Sequence, residues 1–206
     1  MSADVFWGVV TRLGESGIVL PVVLVVAIGL GWSTRRAERA LSLLLPVALA
    51  AIVVTATKVA FMGFGWGIAR LDFTGMSGHA MLAAALYPVL VVVHVPPTGR
   101  RRLVAMAVAA AVVALVAVSR LVLGTHSESE VLSGCAVGAL AAAVAIRSID
   151  RAGGLRLSVV WLAPALAWML WTVPGPPVMA SHDWITRLAT TLSGRDHPYV
   201  RADLHR

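Results

Sequence analysis

Charge is scarce in this sequence. Of 206 residues, 13% are Asp, Glu, Lys or Arg, while 59% are hydrophobic. A typical soluble domain carries about 25% charged residues, so the composition excludes an ordinary water-exposed globule. Lysine is nearly absent, with Lys58 the single one among seventeen basic residues. Cysteine is equally rare: Cys135 stands alone inside an apolar run, which rules out a disulfide framework within the chain. Cysteine and histidine form no cluster with the spacing of metal ligands, so neither a metal nor another cofactor is expected. Asp4 and Glu15 lie where a signal peptide has its basic start, and no small-residue cleavage site follows. The net charge of +7 would suit nucleic acid. The arginines, however, lie in short clusters between apolar runs, a pattern that topology explains better, and no nucleic-acid partner is expected.

What the sequence has instead is long stretches free of Asp, Glu, Lys and Arg. They cover 16–34, 40–57, 73–99, 103–119, 131–146 and 157–182. A helix needs about 20 mainly apolar residues to cross a bilayer. The six runs approach that length, and the fold class read from them is all-α, a polytopic membrane protein with six transmembrane helices. Arg35, Arg36 and Arg39 separate the first two runs, Arg100, Arg101 and Arg102 the third and fourth, and Arg147, Arg151 and Arg156 the last two. With six spans these loops share one side, which the positive-inside rule makes cytoplasmic. Both termini and the 63–78 and 120–128 loops then lie on the outer side, the periplasmic face of a bacterial inner membrane.

The remaining stretches read as accessories to this bundle within one domain spanning 1–206. Residues 3–13 and 182–192 mix apolar and polar positions in the manner of interfacial helices. Pro174, Pro176 and Pro177 end the sixth helix, and 174–206 form an outer tail, loosely structured after Gly194. Gly134 and Gly138 make a GxxxG of the kind that packs helices closely. Gly63, Gly65 and Gly67 suit loop flexibility or close helix approach. Trp161, Trp168 and Trp171 read as an interfacial belt in the outer half of the last helix. His182, His197 and His205 read as solvated surface.

Ionisable groups at membrane depth are costly, and each asks for a reason. From Arg39 to Lys58 a helix rises roughly 28 Å, nearly the whole hydrocarbon core, so Lys58 lies near the outer end of the second helix. Taken alone it suits a lysine snorkelling to the interface. The following outer loop, GFGWGIARLDFTGMSGHA, contains Arg70, Ser77, Gly78 and His79. Separately, Ser77 suits a helix cap and His79 an interfacial histidine, while Asp72 has Arg70 and Lys58 as candidate partners. In the second outer loop, SRLVLGTHSESEVLSG, Arg120 ends the fourth helix. His126 and Glu130 share one helical face if the fifth helix begins by His126, so the carboxylate can orient the imidazole. All these residues fall on the side that should be poor in basic groups. Three cations and a hydroxyl suit a phosphate; two histidines suit a nucleophile and a general acid.

This arrangement resembles the type 2 phosphatidic acid phosphatase superfamily. That family carries a Lys spaced from an Arg-Pro, a Pro-Ser-Gly-His, and a Ser-Arg followed after five residues by His and then, four positions on, by Asp. Here stand Ser77-Gly78-His79, Ser119-Arg120 with His126 after five intervening residues, and Glu130 in the place of the Asp. The resemblance covers about 40–147, the catalytic core. The chain departs from the pattern in three further ways: Lys58 and Arg70 are more widely spaced, Leu71 replaces one proline, and Met76 replaces the other. These departures describe a divergent branch.

The resemblance implies a membrane lipid phosphatase. His126 would be the nucleophile forming a phosphohistidine, Glu130 its orienting acid, and His79 the proton donor to the leaving group. Lys58, Arg70, Arg120 and the Ser77 hydroxyl would bind phosphoryl oxygens, with backbone N–H groups near Gly78, and no metal would be needed. The expected substrate is a phosphomonoester or diphosphate of a lipid. Candidates are an isoprenoid diphosphate, phosphatidylglycerol phosphate, phosphatidic acid and a lipid A phosphate. Two other functions stay open at this stage. One is a phosphotransferase that passes the same group to another lipid or sugar; the other is a non-enzymatic transporter or scaffold. No pattern in the chain defines its oligomeric state.

Overall fold

The computed structural model describes residues 3–151, 156–172 and 181–205. These residues are mostly helical. The elements are α1 (Ala3–Arg12), α2 (Ser16–Thr34), α3 (Ala37–Phe64), α4 (Gly78–His94), α5 (Arg100–Val122), α6 (Glu128–Arg151), α7 (Leu162–Thr172) and α8 (Ser181–Ser193). Short 3-10 turns occupy Ala69–Leu71, Val159–Trp161 and Arg201–His205. One isolated bridge pairs Ile68 with Phe73. The expected helix end at Pro174, Pro176 and Pro177 lies outside the described residues.

Among the described residues, four segments are long and apolar enough to cross a membrane: Val5–Thr34, which takes in α1 and α2, then α3, α5 and α6. Two shorter apolar helical segments accompany them, Gly78–His94 and Val159–Thr172. The outward faces are apolar too. Along α3, Leu41, Leu45, Leu49 and Ile52 are all exposed, the last at 63%. A stripe of that size facing water would be unstable, whereas lipid tails solvate it without cost.

The centre of the bundle is α4. Every residue from Ala80 to Leu86 is buried, which happens only when a helix is surrounded on all sides. Its main partners are α6 and α5, and it also meets α2 and α3. In lipid, helices associate through close packing more than through hydrophobic transfer, and the α4–α6 pair is built for this. A Cβ added at Gly134 would strike the backbone carbonyl of Ser77, and one at Gly138 that of Met81. The GxxxG pair therefore seats the start of α6 directly against the start of α4.

Short connections join α2 to α3, α4 to α5 and α5 to α6, so these neighbours run antiparallel. The end of α3, the start of α4, the end of α5 and the start of α6 consequently meet at one end of the bundle. The arginine clusters at 35–39, 100–102 and 147–151 gather at the other.

Two expectations need correction. The stretch after Gly194 is not loose. Tyr199 donates its backbone N–H to the Met62 carbonyl at 2.8 Å. Tyr199 and Leu204 pack with Val59, Phe61, Met62 and Ala189 in a small second core that joins α3, α8 and the tail. Gly65, at φ 72°, leaves room for the Tyr199 ring, which a Cβ there would press at 3.2 Å. The tryptophans also do not share one level. Trp168 donates to the Gly17 carbonyl at 2.9 Å, beside the start of α2. Trp161 lies against Gly29, near the other end of the same helix, because α7 runs antiparallel to α2.

Candidate active site

The chemistry is organised around Glu130. Its helix starts at Glu128, two residues later than the sequence reading supposed, and the reason is a capping box at Ser127-Glu128-Ser129-Glu130. The Glu130 N–H donates to the Ser127 hydroxyl at 3.4 Å, and the Ser127 N–H donates to Glu130 Oε2 at 3.2 Å. Such reciprocal capping satisfies two donors of the first helical turn. It also pins the carboxylate. His126, just before the cap, donates through Nδ1 to the same Oε2 at 2.7 Å. The i,i+4 pair therefore meets as expected, although His126 precedes the helix.

Two further groups hold this carboxylate, and the sequence reading named neither. Thr74 donates its backbone N–H and its hydroxyl to Glu130 Oε1, each at 2.6 Å. Arg201 donates through Nη2 to Glu130 Oε2 at 2.7 Å. The Glu130 side chain is fully buried and that of His126 is 12% exposed. A carboxylate accepting this many bonds is ionised, so it draws the His126 proton to Nδ1 and leaves Nε2 with a free lone pair. Burial pushes the His126 pKa below its ordinary value. The hydrogen bond that His126 donates to Glu130 opposes this, while the positive charges of Lys58 and Arg120 add to the lowering. The imidazole is therefore neutral near pH 7, the form that can act as a nucleophile.

Around this pair lies a cavity of about 750 Å³. Its polar wall carries Lys58 from α3, Thr74 and Gly75 from the loop, Gly78 and His79 from α4, Arg120 from α5, then His126 and Arg201. Its apolar wall includes Leu20, Ala51, Val54, Leu82, Trp184 and Ile185. Gly75 adopts φ 144° against the stem of Lys58, where an added Cβ would come within 2.8 Å of Cγ. The Met76 N–H donates to the Thr57 hydroxyl at 3.1 Å, which ties the loop to α3 beside Lys58. Arg120 donates to the Thr11 hydroxyl at 2.7 Å, so α1 braces it. Its buried Nε has no hydrogen-bond partner among the described residues.

The structure thus brings together Lys58, Gly78, His79, Arg120, His126 and Glu130. Ser77 is close but differently employed. It is fully buried, its hydroxyl caps α4 by accepting from the Ala80 N–H at 3.5 Å, and its own N–H donates to the Glu130 carbonyl at 2.9 Å. Arg70 is the exception. The Ile68–Phe73 bridge and the 3-10 turn between them place it exposed at the loop tip, and it is absent from the cavity wall. Asp72 pairs with neither Arg70 nor Lys58. It accepts from Arg201 Nη1 at 2.5 Å and contacts His205 Nε2 at 3.1 Å. The capping box was visible as Ser-x-x-Glu. Nothing local distinguished Thr74 or Arg201. Among the described residues, no three His, Cys, Asp or Glu side chains converge as a metal site does.

The chain is similar in sequence to known proteins. The chain is 31% identical to an uncharacterized 22.5 kDa protein in the cps region of Klebsiella pneumoniae, across 97% of this chain and 98% of that one. It is 28% identical to phosphatidylglycerophosphatase B of Bacillus subtilis (strain 168), across 64% of this chain and 68% of the relative. No solved structure matches it significantly. The PAP2 superfamily model matches residues 39–153, which contain Lys58, His79, Arg120, His126 and Glu130, and the chain belongs to that superfamily.

Proposed function

We propose that this protein is a membrane phosphatase that hydrolyses a phosphomonoester or diphosphate carried by a lipid, through a phosphohistidine. One observation carries the reading: the Glu130-held His126 opens onto the same cavity as Lys58 and Arg120, and apolar side chains line the rest of that cavity. Lys58 makes no hydrogen bond or ion pair among the described residues, and Arg120 keeps an unpartnered Nε. Desolvated cations without full partners favour an anionic ligand. The first turn of α4 adds N–H groups that lack intrahelical acceptors and attract phosphate oxygens. The wall of Leu20, Ala51, Trp184 and Ile185 suits the hydrocarbon chain of an amphiphile. The similarity to phosphatidylglycerophosphatase B supports a lipid phosphate as substrate.

In the proposed reaction His126 Nε2 attacks phosphorus as the bond to the leaving oxygen breaks. His79 supplies that oxygen with a proton. Lys58 and Arg120 stabilise the charge on the remaining phosphoryl oxygens, a contribution worth several kcal/mol in a water-poor site. Water then attacks the phosphohistidine, its proton returns to His79, the P–N bond breaks and inorganic phosphate leaves. Ser77 serves through the first turn of α4, and Arg70 stands outside the phosphate site. The residues supply the nucleophile, the acid and the cations, so the reaction runs without a metal. One domain carries it. The two shorter apolar helical segments join the four long ones as six crossings, with the arginine clusters in the cytoplasm. The active site and both termini then face the periplasm of a bacterial inner membrane.

The test is release of free phosphate from a panel of lipid phosphates and diphosphates by purified protein in detergent with EDTA, beside His126→Ala. Release by the wild type alone supports the reading. Transfer to an added lipid or sugar acceptor, without free phosphate, replaces it by a phosphotransferase. No turnover by a folded protein in either assay ends it.

A further inference from the structure

The PAP2 superfamily match ends at residue 153, yet a residue far beyond it reaches the catalytic pair. Arg201 opens the last 3-10 turn, in a tail held by Tyr199 on Met62 and by Leu204 in the second core. Its guanidinium forks. Nη2 donates to Glu130 Oε2 at 2.7 Å and to the Thr74 hydroxyl at 3.2 Å. Nη1 donates to the Asp72 carbonyl at 2.7 Å and to its carboxylate. Thr74, in turn, donates twice to Glu130. One guanidinium thus joins both carboxylates and the loop between them, and both of its terminal nitrogens are committed to protein acceptors.

We propose that Arg201 is a positioning residue of the active site, through which the C-terminal segment locks the Glu130–His126 pair and the 72–75 loop into working geometry. The inference rests on the phosphatase reading. Arg201 acts through Glu130 and not on the substrate, because its terminal nitrogens are occupied. Arginine suits the task because a planar fork reaches two acceptors at once, whereas an ammonium is a point donor. The loop it holds includes Gly75, which packs on Lys58, so losing Arg201 loosens the nucleophile and the loop beside the phosphate cation together.

The role predicts a particular kinetic signature. His126 faces Lys58 from α3, His79 from α4, Arg120 from α5, Glu130 from α6 and the Arg201–Glu130 pair from the tail. Without Arg201, the Glu130 carboxylate is no longer shared and favours the imidazolium form of His126. The acid limb of the rate profile then moves upward.

The experiment compares full-length wild type, Arg201→Met and Arg201→Lys in detergent, with kcat, KM and pH–rate profiles for lipid phosphate hydrolysis. For Arg201→Met the expected result is a kcat lower by at least tenfold, KM within about twofold, and an acid limb higher by roughly one pH unit. Added methylguanidine should restore part of kcat. Unchanged kcat and profile overturn the proposal, as does a rise in KM alone, which would make Arg201 a substrate contact. If Arg201→Met does not fold, Arg201→Lys decides: its ammonium lacks the planar fork that holds Asp72 and Glu130 together, and wild-type kcat in that variant overturns the proposal. A wild-type protein without hydrolytic activity defeats the phosphatase reading itself, a result distinct from any of these.

Discussion

Glu130→Gln is the most incisive perturbation of this site. The carboxylate is fully buried and accepts from Thr74 twice, from His126, from the Ser127 N–H and from Arg201. An amide keeps only one oxygen. If that oxygen stays toward His126 and Arg201, the new NH2 faces the Thr74 N–H at the 2.6 Å position now held by Oε1, and a part-buried donor is left unpaired. That costs about 1–3 kcal/mol, and the bonds that survive lose their charge assistance. The total is about 2–4 kcal/mol of stability. The effect on rate is larger, because a neutral amide can present its NH2 to the imidazole and hold the wrong tautomer. Comparable carboxylate-to-amide exchanges beside a catalytic histidine reduce kcat by about 10⁴. Initial rates of phosphate release are expected to fall 10²–10⁴-fold, with thermal unfolding in the same detergent confirming a folded protein. Glu130→Asp keeps the charge but shortens the reach by one methylene, so it retains more activity than Glu130→Gln. Equal activity in the wild type, Glu130→Asp and Glu130→Gln would refute the orienting role.

Other consequences follow from the same geometry. His126 must be neutral to attack, and its pKa lies below the ordinary histidine value because of burial, Lys58 and Arg120. Activity is therefore present at pH 6.5 and lost as pH falls through the lowered pKa; an acid limb of kcat/KM centred above 6.5 would contradict this. Lys58→Met removes a cation from the cavity wall and is expected to lower kcat/KM by at least 100-fold, while Arg70→Ala, at an exposed loop tip, stays within about twofold. The same assay read on both variants would expose an exchange of their roles. Gly75→Ala forces a side chain into a φ of 144° against Lys58, and a drop in kcat/KM of about tenfold or more with little change in the unfolding temperature is expected. Gly138→Leu drives a side chain into the Met81 carbonyl and Ala84. Loss of folded protein, read by size exclusion in detergent, is the expected outcome.

Much of this molecule follows from local pattern. Charge-free runs mark where helices lie, because a bilayer tolerates little else. An isolated Lys58 at the end of such a run, and a His126–Glu130 pair at the start of another, stand out because ionised groups there cost free energy. The capping box was equally legible as Ser127-x-x-Glu130, and it explains how a glutamate can serve at this position: its longer side chain reaches back both to the Ser127 N–H and to His126. The position of Arg70, outside the cavity wall, was not legible because spacing along the chain says nothing of which way a loop folds. A bridge between Ile68 and Phe73 turned it outward.

The charge-free runs by themselves marked where the apolar helices lie and set the arginine clusters in the loops between them, and that same layout put Lys58, Arg70, Arg120 and two histidines on one side. Only the tertiary structure decided who holds the carboxylate. Thr74 lies 56 positions from Glu130 and Arg201 lies 71, and neither sits in a stretch whose polarity is anomalous. In a chain whose basic residues are nearly all arginine, no local rule singles out Arg201. Its role depends on the path of the tail across α3 and α8, set by the packing of Tyr199 and Leu204, which no periodicity within the tail encodes.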